Sequence, residues 1–521
     1  MNRITKRRVA GVLAGTLTGV LVLAGCGAGE NGSRTSADGS RADRGAPAPN
    51  RPAVPDGGKA AGEQAPGGKD DRTPEGKPAP APDRLSTFAL DVDTASYGYA
   101  RRTLAEGRLP DPADIRPEEF VNSFKPDYPR PEDNGFSVTV DGARSDAPGW
   151  SLVRVGLATK PSDGERPPAA LTFVVDISGS MGEPGRLDLV KESLGLLTDK
   201  LRDDDSVALV TFSSDAETRL PMTRVGSNRG RIHDVVDALE TTSSTNVEAG
   251  VRTGYDVAVE GRRKGATNRV VLLSDALANT GDTEAAGILE RIDKERRTYG
   301  ITLFGVGVGS DYGDAFMEQL ADKGDGHTSY VGTSEQARKV FVDQLPSHIE
   351  LRARDAKAQV AFDPKTVESF KLIGYDNRKV ADEDFRNDRV DGGEVGAGHT
   401  VTALYAVKLR PGQRGRVATA TVRWLDPATR APHERSGTVE AGALTAPIWG
   451  GGHDSLQLTA IAAYFADRLR GGQVPGAPPL SSLAARAGAL SERARSASVR
   501  ELAEAIRQAD GLGGSTDPYA D

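Results

Sequence analysis

The chain has 521 residues, of which 37% are hydrophobic, with 61 glycines and 31 prolines. That length accommodates about two to four domains, and the glycine and proline content implies that part of it stays unpacked. Lys+Arg 66 against Asp+Glu 74 gives a formal net charge of -8. There is no basic excess to neutralise phosphates, so a nucleic-acid partner is excluded. One cysteine, Cys26, rules out a disulfide framework within the chain.

The first 25 residues read as an export signal. Arg3, Lys6, Arg7 and Arg8 precede an apolar run from Val9 to Leu23, which closes on Leu23-Ala24-Gly25-Cys26. The run is short for a span across a bilayer, which needs ~20 residues. It resembles a bacterial lipoprotein signal with cleavage before Cys26, whose thiol would carry the lipid. The resemblance implies a mature protein anchored by lipid on the extracytoplasmic face of the bacterial cell membrane. Residues 26–84 are Gly, Pro, Ala, Asp, Lys and Arg with almost no large apolar side chain. Such a segment cannot offset its ordering entropy. It is expected to be a disordered tether with a reach of roughly 40 Å.

Residues 85–150 form a small folded module. A strand pattern begins at Leu85, a helix starts near Tyr99 to Leu104, a short helix spans Glu118 to Phe124, and a strand spans Phe136 to Val140. Asp91 and Asp93 fit a structural turn better than a catalytic pair. From 168 to 350, apolar strand runs alternate with helical stretches. Strands are predicted at Leu171–Val175, Val207–Phe212, Val270–Leu273 and Ile301–Val308. Helices are predicted at Leu187–Leu201, Arg229–Leu239, Val247–Val259, Glu284–Arg297 and Gln336–Leu345. This order implies a parallel sheet covered by helices on both faces. Asp203-Asp204-Asp205, before a strand, reads as a solvated turn. Residues 351–510 read as a separate α+β domain. Its strands are Val401–Leu409 and Val417–Trp424, joined by a Pro-Gly turn, and its helices are Asp454–Leu469 and Val499–Ala509, the second opened by a Ser498-x-x-Glu501 capping box. Asp382 to Glu394 lacks the glycine of a calcium loop and reads as solvated. Residues 511–521 are expected to be a disordered tail.

The chemistry concentrates at the carboxyl ends of the predicted parallel strands, where such sheets place their ligands. One strand ends in Asp176-Ile177-Ser178-Gly179-Ser180, which can turn three oxygen side chains to one side. Thr245 lies in a polar loop just before a helix, and Asp275 ends another strand. Together they deliver hard oxygen donors from three segments to one sheet edge. Asp-x-Ser-x-Ser followed by a later Thr and a later Asp resembles the metal-ion-dependent adhesion site of the von Willebrand factor A domain. The resemblance implies an α/β fold with a doubly wound, mostly parallel, Rossmann-like sheet, flanked here by the small N-terminal module and the C-terminal α+β domain. It also implies that Ser178, Ser180 and Thr245 ligate the metal directly when a partner is bound, while Asp176 and Asp275 act mainly through water. Mg2+ is the expected ion, with Mn2+ or Ca2+ as alternatives. Because Mg2+ prefers six oxygens and keeps several waters, neutral hydroxyl ligands leave its charge largely unquenched. An Asp or Glu exposed on a partner protein then displaces one water.

The segments outside the A domain resemble bacterial YfbK-type A-domain lipoproteins. The likeness is carried by Ser86-Thr87-Phe88-Ala89-Leu90-Asp91-Val92-Asp93-Thr94-Ala95-Ser96-Tyr97, by Leu372-Ile373-Gly374-Tyr375-Asp376-Asn377-Arg378, and by the run from Gly396 to Tyr405. Ala276 departs from the glycine that many relatives carry after the aspartate. Enzymatic readings find little support. There is no Gly-x-Ser-x-Gly elbow and no phosphate loop, and the six histidines show no metal-binding pair at helical spacing. The expected role is partner binding through a divalent ion, not catalysis. The rivals are a scaffold in an envelope complex and an enzyme whose chemistry lies in the C-terminal domain.

Overall fold

The computed structural model describes residues 79–80 and 84–513, apart from 91–92, 163, 165, 243, 276–281, 310–319, 321–326, 345–348, 391 and 452. The signal, Cys26, Asp91 and Ala276 lie outside the described residues.

The A domain is built on a six-stranded sheet. Its strands are β5 (Ala169–Asp176), β6 (Ser206–Phe212), β7 (Ala216–Arg224), β8 (Thr267–Ser274), β9 (Thr302–Val308) and β10 (His327–Val331), in the order β10-β9-β8-β5-β6-β7. All neighbours pair in parallel except the β6–β7 edge pair. β5, β6 and β9 are buried at every position because helices cover both faces. On one face Leu171, Phe173, Val175 and Val271 pack on α3 (Leu187–Lys200) and α4 (Arg229–Asp237). On the other, Val174, Val210 and Leu272 pack on α5 (Val247–Glu260) and α6 (Asp282–Tyr299). A helix α7 (Ser334–Arg338) continues as a π-helical turn, Lys339–Gln344. β7 has no strand signature in the sequence, because only Leu220 of its nine residues is buried. Its Pro221 is tolerated there because β7 is an edge.

The regions on either side of the A domain, expected as separate modules, share sheets instead. Five strands, β1 (Ala79–Pro80), β12 (Val367–Leu372), β14 (Thr400–Leu409), β4 (Trp150–Thr159) and β3 (Phe136–Arg144), form one sheet in that order. A second contains β13 (Gly393–Gly396), β11 (Leu351–Phe362), β15 (Arg416–Leu425) and β16 (Pro432–Glu440), with β2 (Leu85–Ala89) also paired to β11. β4, in a stretch assigned to no domain from sequence, is central. It pairs with β14 from Trp150↔Lys408 to Ala158↔Thr400. β14 and β15, though joined by the Pro411-Gly412 turn, go to different sheets and form no hairpin. The expected tether also ends earlier than its predicted boundary, since Ala79 and Pro80 pair with Phe370 and Ser369.

Alternation along β14 builds a three-layer body. Val401, Ala403, Tyr405 and Val407 face the second sheet. Leu404 and Ala406 face α1 (Ala95–Ala105), α2 (Pro117–Asn122), α8 (Asp454–Leu469), α9 (Leu480–Ala494) and α10 (Ala497–Gly513). Helix α10 begins before the predicted capping box: the Val499 N–H donates to Ser496 Oγ at 3.4 Å, and Glu501 pairs with Arg101 at 2.8 Å. It also runs through residues 511–513, which were expected in the tail.

The A domain is thus an insertion, and its two connections cross side by side. The Ala397 N–H donates to the Glu350 carbonyl at 2.8 Å and the Gly398 N–H to the Lys160 carbonyl at 2.9 Å, so the Gly396–His399 loop brackets both crossings. Two acids expected in solvated loops are buried here. Asp205 takes a bidentate pair from Arg166 (2.8 and 2.6 Å) and the Ala169 N–H. Glu394 pairs with Arg269 of β8 at 2.7 Å, both side chains 0% exposed. Asp93 accepts the Thr328 N–H of β10 at 2.6 Å and Arg378 at 2.7 Å, which makes it a structural staple.

Removing one partner of a fully buried ion pair strands the other charge, at a cost of about 3–5 kcal/mol. Glu394→Ala is therefore expected to lose about 3–5 kcal/mol of stability in urea unfolding, with Glu394→Gln, which keeps a hydrogen-bond acceptor for Arg269, losing less.

Candidate functional site

The loop after β5 is built to hold its hydroxyls still. The apolar run buries β5 up to Asp176, and the Ile177 N–H continues the sheet by donating to the Phe212 carbonyl at 3.0 Å. A 3-10 turn, Gly179–Gly182, follows, closed by the Met181 N–H donating to the Ser178 carbonyl at 3.0 Å. Met181 is wholly buried and pins the turn into the core below.

Four of the five residues singled out from sequence form one hydrogen-bonded set. Asp176 accepts the Ser178 N–H on Oδ1 at 2.8 Å and the Ser274 hydroxyl on Oδ2 at 2.6 Å. Ser178 Oγ lies 3.1 Å from Ser180 Oγ, which donates to Asp275 Oδ1 at 3.1 Å. Thr245 is exposed on the adjoining loop and, among the described residues, makes no hydrogen bond to the other four. That loop is docked onto the site at both ends. The Thr242 N–H donates to the Ile177 carbonyl at 2.7 Å and the Asn246 N–H to the Ser213 carbonyl at 2.6 Å. Asn246 then caps α5 by accepting the Ala249 N–H at 3.0 Å. The helix lies close on the sheet, since a Cβ at Gly254 would stand 2.3 Å from Val174 Cγ2.

The donor set suits a hard divalent cation. An octahedral shell with bonds of about 2.1 Å puts neighbouring oxygens about 3.0 Å apart. The Ser178–Ser180 hydroxyl oxygen separation, 3.1 Å, matches that edge, and the Asp275 carboxylate stands one hydrogen bond behind Ser180. The two acids differ in surroundings. Burial pushes the Asp176 carboxyl above the usual range; hydrogen bonds from Ser274 and Ser178 pull it back, and the Asp275 charge adds to the rise. Asp275 is instead paired with the Arg186 guanidinium.

Arg186 and Ser274 went unnoticed in the sequence. Arg186 also donates to the Ser180 carbonyl at 3.0 Å and pairs with Glu183 at 2.9 Å. A cation at the N-cap of α3 opposes the helix dipole, and that local mismatch is the signal that marks it. Two open clefts flank the site. One, of about 350 Å3, is lined by Ser213, Asp215, Glu217 and Thr242; the other, of about 660 Å3, by Glu183, Asp188 and Thr241; Glu240 borders both.

A carboxyl whose pKa is raised by folding binds its proton more tightly in the native state. The metal-free fold therefore loses stability as pH rises from the unfolded pKa through the folded one. Asp176→Asn, measured by thermal melting in chelator, is expected to melt above the wild type at pH 7, with the gap closing toward pH 4.

Comparison with known proteins agrees with this architecture. Residues 170–343 match the von Willebrand factor type A domain family, residues 73–151 a family described as von Willebrand factor, and residues 348–512 the C-terminal family of the uncharacterized protein YfbK. The chain is 35% identical to the uncharacterized protein YfbK of Escherichia coli (strain K12) over 417 residues, 75% of this chain and 72% of that one. It is 27% identical to mouse inter-alpha-trypsin inhibitor heavy chain H3 over 164 residues, 30% of this chain but 18% of that protein. Among solved structures, a von Willebrand factor type A protein from Catenulispora acidiphila aligns with 74% of this chain and 97% of its own, at 15% identity and a TM-score of 0.46. A von Willebrand factor A domain followed by the YfbK C-terminal domain, with this identity along most of both chains, makes the protein a member of the YfbK family.

Proposed function

We propose that this chain captures a protein partner through a divalent cation held at the carboxyl rim of the A-domain sheet. The observation that carries the reading is the hydrogen-bonded set of Asp176, Ser178, Ser180 and Asp275, whose two hydroxyl oxygens stand an octahedral edge apart. Membership of the A-domain family supports a protein-interaction or adhesion role, and A domains often bind a divalent metal at such a rim.

In this reading Ser178, Ser180 and Thr245 hold the ion, and Asp176 and Asp275 hold its waters. Bound Mg2+ supplies a positive charge and an exchangeable water position. The chain's residues do the rest. Asp176 is kept in place by the Ser178 amide and the Ser274 hydroxyl, so it fixes the hydroxyls instead of reaching outward. The buried Met181 resists displacement of the loop when a partner pulls on it. The composition of residues 26–78 supports a tether, and the Leu23-Ala24-Gly25-Cys26 sequence supports lipid attachment at Cys26 on the outer face of the cell membrane. No helix among the described residues is long and apolar enough to cross a membrane.

Pull-down from membranes with Mg2+ is expected to recover a partner that is lost in chelator and lost with Ser178→Ala. Recovery that is indifferent to chelator would favour a scaffold in which the metal plays no adhesive part. Mass spectrometry of the mature amino terminus is expected to find Cys26 first and acylated; an unmodified Cys26 removes the anchor.

A further inference from the structure

The adhesion site contains a cation of the protein's own. Arg186 is 5% exposed, and its guanidinium is held by the Asp275 carboxylate, the Ser180 carbonyl and Glu183. It therefore bridges two of the three segments that supply the oxygen donors. Arg186 donates to Oδ2 of Asp275, while Oδ1 accepts from Ser180 inside the donor set. The Arg186 side chain also packs closely on the backbone at Gly309, just after β9. A Cβ at Gly309 would stand 2.6 Å from Arg186 Nε, and Gly309 has φ +91°, so a side chain there is doubly disfavoured. That backbone is braced in turn by Arg102 of α1, which donates to the Gly309 carbonyl at 3.2 Å and stacks 4.2 Å over the Tyr330 ring.

We propose that Arg186 sets the charge of the adhesion site, weakening its hold on the metal in order to strengthen its hold on a partner's carboxylate. The proposal rests on the metal reading above. Asp176 and Asp275, when ionised, contribute two negative charges, and the buried Arg186 reduces the sum to one. A divalent ion then leaves the site at a net single positive charge, where without Arg186 it would be neutral. Glu183 does not cancel this effect, because its side chain is 64% exposed and solvent screens it. At the few-ångström separations here the charge acts in opposite directions on the two ligands: it repels the cation and attracts the anion. A residue that merely braced the loops would move both affinities the same way.

The test uses the purified full chain, with Mn2+ binding read by calorimetry and acetate binding read by the loss of water-proton relaxation on bound Mn2+. Arg186→Gln is expected to bind Mn2+ about tenfold more tightly and acetate about tenfold more weakly. Arg186→Lys, which keeps the charge, is expected to stay near the wild type in both. If Arg186→Gln does not fold, Arg186→Met, which keeps the aliphatic stem and removes the charge, carries the same comparison. Mn2+ affinity that is unchanged or weaker in the charge-removing variant, or two constants that move together, overturns the role of Arg186 alone. Absence of Mn2+ binding in both the wild type and the variant removes the metal reading, and this role with it.

Discussion

The antiparallel pairing of β4 with β14 is the constraint on which the rest of the molecule depends. These strands lie hundreds of residues apart in sequence, yet they stand side by side from Trp150↔Lys408 to Ala158↔Thr400. The Gly396–His399 loop that leads into β14 hydrogen-bonds both Lys160 and Glu350, so the chain leaves the sandwich at Thr159 and returns to it at Leu351 at nearly the same place. Whatever lies between must have its ends close together. A doubly wound sheet meets that condition, because Ala169 and Thr267 begin neighbouring parallel strands and Ile349 comes back beside them, its carbonyl accepting the Thr267 hydroxyl at 2.8 Å.

That attachment also fixes which end of the A domain is presented. The crossings, the Arg269–Glu394 pair and the Asp205 cluster all gather around the amino-terminal ends of β5 and β8. The oxygen donors gather at the carboxyl ends of the same strands. The crossings and their ion pairs thus occupy one end of the sheet, while the other rim carries the oxygen donors beside exposed loops and open clefts. The A domain does not hang by its crossings alone. Asp93 ties β10 to Arg378, and Arg102 of α1 reaches Gly309, so the flanking helical layer abuts the edge of the sheet next to the site.

At the rim the electrostatics are divided between two acids of unlike surroundings. Asp176 is buried under its own strand and is stabilised only by neutral donors, so its charge is costly without a cation nearby. Asp275 already has one in Arg186. A bound ion would therefore relieve Asp176 more than Asp275, and the neutral hydroxyls between them leave its positive charge available to a partner.

Much of this was legible locally. The apolar runs at Leu171–Val175, Val207–Phe212 and Val270–Leu273 become strands because a sheet covered on both faces needs no polar alternation. Helix Asp454–Leu469 keeps its sequence boundaries because its first and last turns carry their own signals. β7 was invisible because an exposed edge strand owes its hydrogen bonds to β6 and little to its side chains. Asp205 and Glu394 looked solvated because a charged residue in a polar loop is buried only when a distant arginine meets it, and Arg166 and Arg269 are not recognisable as partners in a linear reading. By itself, then, the sequence determined the four central strands of the A-domain sheet and the order in which oxygen-bearing residues reach its rim, since strand periodicity and residue spacing are short-range properties. Only the tertiary structure decided that the flanking segments close into a single body around that domain, and that Arg186 reaches its acid, because strand partners and buried counter-charges are selected by proximity in space.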